Sequence, residues 1–334
     1  MKTADFRALT LEEAVARLKE PAPTLICFHT RPDGDAVGAA FALSLWLGAM
    51  GSRCYCVSPD EVPHYLSFLS EGLQESVLPE SIPTGFENAR IVTVDTASPA
   101  QMGSLFERFG ERVCLMIDHH GMGTPYADHL VVPQAAACGE VVFDLIAASG
   151  VDVPARASEL LYAAISSDTG CFRYSNVNEN THLHAAALVR QGIDTAEINR
   201  RLFETRSYQG LKAEKAGFDR LRFFEDGKIA IITFPYALQR ELDVSEEHLG
   251  TLIDVARCVA GVEVAVAIRG TAKGDFRVSL RSNIDFDVAA VAARLGGGGH
   301  VRAAGVTVSA DSIEAAQEKI LQALCLARSG GANV

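Results

Sequence analysis

Four short segments of this 334-residue chain concentrate side chains that bind cations. The first, His29-Thr30-Arg31-Pro32-Asp33-Gly34-Asp35, places one imidazole and two carboxylates within seven residues. Pro32 fixes a backbone angle and Gly34 permits a tight turn, so His29, Asp33 and Asp35 can converge instead of extending apart. Asp95 closes the apolar run Ile91-Val92-Thr93-Val94, and Asp118-His119-His120 closes Cys114-Leu115-Met116-Ile117. Asp168 follows a helical apolar stretch and precedes the turn signal Thr169-Gly170. Taken singly, each has an ordinary explanation as a polar turn or a helix cap. Taken together, His29, Asp33, Asp35, Asp95, His119 and Asp168 form a set of four carboxylates and two imidazoles with no thiolate. That chemistry favours Mn²⁺ or Mg²⁺ over a cysteine-based zinc, with the imidazoles tilting toward Mn²⁺ and Co²⁺ as a further candidate. Crowded carboxylates repel, which a pair of divalent cations would relieve. Such a pair activates water and stabilises the attacking and leaving oxygens of an in-line phosphoryl displacement.

These segments need a frame that brings them to one place. Apolar runs over 24–28, 53–57, 90–94 and 113–117 read as strands buried on both faces. Helical stretches separate most of them, the pattern of an α/β domain with a parallel sheet. Thr10 and Glu13 have capping-box spacing ahead of an apolar stripe of Leu11, Ala14, Val15 and Leu18. In such sheets ligands collect beyond the carboxyl ends of the strands, where three of the four segments fall. Residues 154–218 read as mostly helical, with helices over 155–166, 180–191, 195–203 and 207–218. Strands over 228–234, 262–269 and 275–281, then helices and a glycine-rich turn, define a smaller second α/β domain. The expected division is 1–205 for the first domain, 206–221 for a helical connector and 222–334 for the second.

Composition narrows the partners. Hydrophobic residues are 48% and charged residues 22%, as in ordinary folded proteins, which excludes wholesale disorder. With 30 Lys+Arg against 42 Asp+Glu, the net charge of -12 opposes broad attachment to duplex nucleic acid or anionic lipid. The polar amino-terminal ten residues lack a signal-peptide core, and the apolar stretch over 38–51 is too short to span a bilayer. The eight cysteines include no CxxC pair, which suggests a reducing cytoplasm.

One basic island interrupts the acidity. Arg269, Lys273, Arg277, Arg281, Arg294 and Arg302 face only Asp275, Asp285 and Asp287 over that stretch. Gly296, Gly297, Gly298 and Gly299 offer backbone amides for an anion-binding nest, with His300 and Arg281 as further donors. The competing reading is a helix end with a solvated charged face.

The order HTRPDGDA, VD, DHH and SSDTGCFRY resembles the four motifs of the DHH phosphoesterase superfamily, and GGGHVRAAG resembles the GGGH motif of the DHH-associated carboxyl-terminal domain. The resemblance implies that His29, Asp33 and Asp95 hold one ion and that Asp35, Asp95, His119 and Asp168 hold the other, with Asp95 bridging. It implies that Asp118 buttresses a ligand, that His120 meets the scissile phosphate or leaving oxygen, and that Arg281, Ser282, Gly297, Gly298, Gly299 and His300 contact substrate. The continuation DHHGMGTP departs from that of many relatives. Within the superfamily, nothing here resembles the membrane and sensory segments of cyclic-dinucleotide phosphodiesterases. The chain is also short for a RecJ-type exonuclease, and GGGH disfavours the manganese pyrophosphatases. The compact oligoribonuclease group remains, implying a two-metal site facing a cleft between domains, a cytoplasmic homodimer, and substrates among nanoRNA, linear dinucleotides and pAp (3′-phosphoadenosine 5′-phosphate). A cyclic-dinucleotide phosphodiesterase is the alternative, and a non-catalytic nucleotide-binding module a distant third.

Overall fold

The computed structural model describes residues 6–73 and 82–330; the start of the amino-terminal segment and the last four residues assigned to the second domain lie outside these ranges. The chain divides into two compact units, Met1–Thr205 and Arg206–Val334. The Tyr208–Asp219 helix, expected as part of a connector, buries Ala213 in a core of the second unit.

The first unit is built on β1 (Thr24–Cys27), β2 (Cys54–Val57), β3 (Arg90–Val94), β4 (Val113–Asp118) and β5 (His129–Val131). All pair in parallel, in the order β2-β1-β3-β4-β5. Every residue of β1 is buried, as its apolar run requires in a sheet covered on both sides. Successive strands step outward from β1 first to one side and then to the other. The order therefore reverses between β1 and β3, which opens a crevice beyond their carboxyl ends.

One face of this sheet packs with the Leu11–Lys19, Gly34–Ala49, Cys138–Ser149 and Ala155–Asp168 helices around Phe28, Phe41 and Trp46. The first helix has the expected reciprocal cap between Thr10 and Glu13. The other face buries Phe86, Met102, Phe109 and Tyr126.

The second unit carries β6 (Leu221–Phe224), β7 (Ile229–Phe234), β8 (Val264–Gly270), β9 (Phe276–Ser282), β10 (Gly298–His300) and β11 (Ala303–Val308), in the order β10-β11-β9-β8-β7-β6. Only β7 and β8 pair in parallel. The Val288–Arg294 and Ile313–Gly330 helices bury their apolar residues with one face, and the Leu252–Arg257 helix with the other.

Four strands go beyond the expected set: β5, β6, β10 and β11. The expected helix over 195–203 is also shorter: Thr195–Asn199 is α-helical, and Arg200–Glu204 widens into a π-turn closed by the Thr205 amide on the Arg200 carbonyl at 2.9 Å. Among the described residues, no helix is long and apolar enough to cross a membrane.

Candidate metal centre

The crevice between β1 and β3 is where the predicted donors meet. His29 lies two residues beyond β1, and Asp33 caps the Gly34–Ala49 helix, its Oδ1 accepting from the amides of Asp35 and Ala36 at 3.1 and 3.0 Å. Capping and ligation are thus compatible at Asp33. Asp95 follows β3 with φ +54°, a conformation that aspartate tolerates better than most residues. Asp118 ends β4, with His119 and His120 just beyond it. Asp168 is the last residue of the Ala155–Asp168 helix.

Two clusters result, and Asp95 lies between them. His29 Nε2 is 3.7 Å from Asp33 Oδ1 and 3.4 Å from Asp95 Oδ2. His119 Nε2 is 3.4 Å from Asp168 Oδ2, 3.6 Å from Asp95 Oδ1 and 3.7 Å from Asp35 Oδ2. The two oxygens of Asp95 therefore turn to different imidazoles. Most of these separations exceed hydrogen-bonding length, yet the donors stand side by side. Asp95 Oδ1 is buried without a hydrogen-bond partner, a costly arrangement unless a cation uses that lone pair.

The charges point the same way. Burial and the neighbouring Asp95, Asp168 and Asp33 hold the Asp35 carboxyl well above its ordinary range. Burial, together with Asp33 and Asp95, lifts Asp168 to about 7 against the pull of His119. Burial disfavours a charged His29, but Asp33 and Asp95 overcome it and raise the imidazole. Divalent cations would replace the protons that such a cluster otherwise retains. The acceptor-rich donor set fits them.

Three of the candidate ligands, Asp35, His119 and His29, are steered by backbone partners. Asp35 is fully buried and closes the amino terminus of the Cys138–Ser149 helix, whose own cap residue, Ala137, has no side-chain acceptor. Its Oδ2 accepts from the Cys138 amide at 2.6 Å and its Oδ1 from the Gly139 amide at 2.9 Å. His119 Nδ1 donates to the Ala135 carbonyl at 3.2 Å, and His29 Nδ1 to the Thr30 carbonyl at 2.8 Å, leaving each Nε2 for the cluster. Gly34 is required by close approach: a Cβ there would stand 2.5 Å from Ser167 Oγ, beside Asp168.

Asp118 does buttress a neighbour, but that neighbour is His120 and not one of the six expected ligands. His120 Nδ1 donates to Asp118 Oδ1 at 2.7 Å and lies 3.6 Å from Asp95 Oδ1. Burial opposes charge on His120, yet Asp118 and Asp95 raise it to about 9. The unusual loop after His120 is anchored by the Thr124 amide on the Ala97 carbonyl at 2.8 Å.

Sequence reasoning missed Asn176 and Glu140. The Asn176 side-chain amide donates to the carbonyls of Ala136 and Asp168 at 2.9 and 3.1 Å, tying the turn before the Cys138–Ser149 helix to the end of the Ala155–Asp168 helix. Glu140 Oε2 accepts from the Ala136 amide at 3.2 Å. The position of Glu140 in a helical first turn was readable; what it reaches was not.

In the second unit the expected anion nest is not what the backbone forms. Gly296, at φ +85°, and Gly297 spend their amides on the Ala293 and Ala292 carbonyls to end the Val288–Arg294 helix. Gly298, Gly299 and His300 instead pair with Gly305, Ala304 and Ala303 as β10. Ser282 is buried, its hydroxyl donating to the Ile284 carbonyl at 2.7 Å. The sheet does bring two expected residues into one row. Ala303 is opposed by His300 on one side and Arg281 on the other, so both project from the same face with a small side chain between them.

A reversing parallel sheet whose switch point gathers carboxylates and imidazoles is a frame suited to two-cation phosphoryl chemistry. Residues 23–165 match the amino-terminal domain of the DHH family and residues 227–325 the DHHA1 domain. A bifunctional oligoribonuclease and PAP phosphatase, NrnA, of Thermus thermophilus is 33% identical over 90% of this chain and 89% of its own. The NrnA of Bacillus subtilis is 26% identical over 92% and 93%. An exopolyphosphatase-related protein of Bacteroides fragilis shares the fold, with a TM-score of 0.86 at 22% identity over 97% of this chain and 99% of that one. The chain belongs to the DHH family of phosphoesterases.

Proposed function

We propose that this protein hydrolyses the phosphoester bonds of very short RNA, nanoRNA and dinucleotides, to nucleoside monophosphates, and removes the 3′-phosphate of pAp. The reading is carried by the completeness of the donor set in a chain that matches an oligoribonuclease and PAP phosphatase over 90% of its length.

His29, Asp33 and Asp95 hold one divalent cation, and Asp35, Asp95, His119 and Asp168 the other, with Mn²⁺ favoured by the mixed imidazole and carboxylate donors. Bound there, the cations supply an activated water near neutral pH and offset charge on the phosphate oxygens. Asp118 orients the His120 ring by accepting a hydrogen bond from its Nδ1–H, which leaves Nε2 to meet the scissile phosphate or the leaving oxygen. Arg281 and His300, aligned across Ala303, are the strongest of the proposed substrate contacts in the second unit, joined by the backbone of Gly298 and Gly299. Ser282 and Gly297 contribute by shaping the segments that carry these donors, since the Ser282 hydroxyl and the Gly297 amide already donate to backbone carbonyls. An acidic chain with one basic island suits a short polyanion better than a long strand. The working form is a cytoplasmic homodimer.

The test is a Mn²⁺-dependent time course on end-labelled RNAs from dinucleotide to twenty-mer, with pAp and a cyclic dinucleotide in parallel and Asp35→Ala as control. Fastest loss of the shortest RNAs, an active pAp reaction and an inert variant are expected. Consumption of the cyclic dinucleotide alone would keep the metal site and overturn the substrate assignment.

A further inference from the structure

The backbone from Ala135 to Gly139, where the chain turns into the Cys138–Ser149 helix, hydrogen-bonds two of the six candidate ligands directly and is tied to a third through Asn176. The Ala135 carbonyl orients His119, the amides of Cys138 and Gly139 hold both oxygens of Asp35, and the Ala136 carbonyl is linked through Asn176 to the Asp168 backbone. Backbone groups hold a ligand in place only as well as the turn itself is held. Within it, Ala135, Ala136 and Ala137 carry no polar side chain of their own to fix the backbone, and one residue earlier the Gln134 carbonyl accepts from the Asn178 side-chain amide at 3.0 Å.

Glu140 supplies that fixation from the first turn of the helix. The residue is 1% exposed, its Oε2 accepts from the Ala136 amide at 3.2 Å, and its Oε1 is buried with no hydrogen-bond partner. His184, on the Glu179–Val189 helix, approaches from the outer side, its Nδ1 3.6 Å from the same Oε2. Burying a carboxyl with one oxygen unpaired is expensive, so the bond to the Ala136 amide is kept at a cost. We propose that Glu140 is a positioning residue for the metal centre, clamping the 135–139 turn so that its carbonyl and amides hold His119 and Asp35 in ligating orientation. Partners one step behind the ligands commonly change metal affinity by about 10–100-fold when lost.

The inference rests on reading the cluster as a metal centre, and it is tested by metal binding and not by turnover. Mn²⁺ is titrated into the full-length protein, free Mn²⁺ is followed by its electron paramagnetic resonance signal, and metal-free melting temperatures are measured alongside. Glu140→Ala is expected to bind Mn²⁺ about tenfold or more weakly at a temperature where it remains folded, whereas Glu140→Gln, which keeps an acceptor for the Ala136 amide, stays close to the wild type. If Glu140→Ala does not fold, Glu140→Asp, one carbon too short to reach the turn, is expected to weaken binding in the same direction. A lower melting temperature with wild-type Mn²⁺ affinity in these shortened variants would make Glu140 a helix-capping residue only and overturn the proposal. A wild-type protein that takes up no Mn²⁺ would overturn the metal-centre reading and this inference together.

Discussion

His120 Nδ1 and Asp118 Oδ1 are 2.7 Å apart, joined by a hydrogen bond between residues only two positions apart, with Asp118 fully buried beneath the ring. The buried carboxylate dictates which ring nitrogen carries the inner proton. Asparagine at 118 keeps the shape but presents either a weaker acceptor or a competing N–H. Asp118→Asn is therefore expected to lower kcat on a dinucleotide by about 10–100-fold, with Mn²⁺ stoichiometry unchanged. Steady-state kinetics paired with a metal titration check it; an equal loss of bound metal would place Asp118 among the ligands instead.

Metal binding should be visible as stability. Cations that bind only the folded protein add about 2.7 kcal/mol at a hundredfold excess over Kd, or roughly 5–10 °C in Tm for a unit of this size. Mn²⁺ is expected to raise the Tm of the wild type by that order and to raise that of Asp35→Ala, which keeps His29, Asp33 and Asp95, by distinctly less. Differential scanning calorimetry with and without chelator reads both.

Gly34 and Ser167 form a steric pair. An added methyl at 34 would meet Ser167 Oγ at 2.5 Å and its Cβ at 2.7 Å, so neither a rotamer change nor removal of the hydroxyl makes room. Gly34→Ala should cost about 1–3 kcal/mol and displace Asp33 and Asp35 from Asp168, weakening Mn²⁺ binding. Adding Ser167→Gly should restore most of that affinity, whereas Ser167→Ala should not. Metal titration of the three variants tests the geometry directly.

His184 predicts a pH dependence remote from the crevice. Burial opposes its charge, but Asp144 at 3.1 Å and Glu140 outweigh burial and raise it to about 9. A raised histidine stabilises the fold fully below its ordinary value of 6.5 and loses that contribution as pH climbs through 9. Between pH 7 and 10 the stability advantage over His184→Gln should shrink by about 1–2 kcal/mol, allowing for partial solvent screening. Urea unfolding at a series of pH values measures it; a constant difference would remove the charge from the account.

Much of this architecture is written locally. β1, β3 and β4 are continuous apolar runs ending in a ligand-bearing loop, so both the strands and the ligands they deliver can be read without tertiary information. β5 cannot: it is three residues beginning with a half-exposed His129, and it exists because β4 on one side and the Leu9 amide on the other supply its partners. β10 is fully exposed and begins with two glycines, a composition that locally signals a turn; pairing with β11 makes it a strand. The convergence of the candidate ligands was readable because carboxylates and imidazoles at strand ends have few other joint explanations. The groups that orient them were not, because their partners lie far away in sequence: Asp35 reaches an amide 103 residues on, and Asn176 reaches back 40 to the Ala136 carbonyl. Asp118 shows the intermediate case, where the buttressing role was legible from the motif but its beneficiary depended on how the two histidines part company after β4.

The bond from Asp35 to the two leading amides of the Cys138–Ser149 helix has a consequence for inheritance. A lineage that abandoned hydrolysis after gene duplication would be free to drift at His29 or Asp168, whose loss removes chemistry and little else. Asp35 is under a second obligation, because Ala137, the cap residue of the helix it closes, makes no side-chain hydrogen bond to the helix amides. Inactive descendants of this chain should therefore shed their ligands in a definite order, with an oxygen-bearing residue at position 35 persisting as the last trace of the abandoned active site.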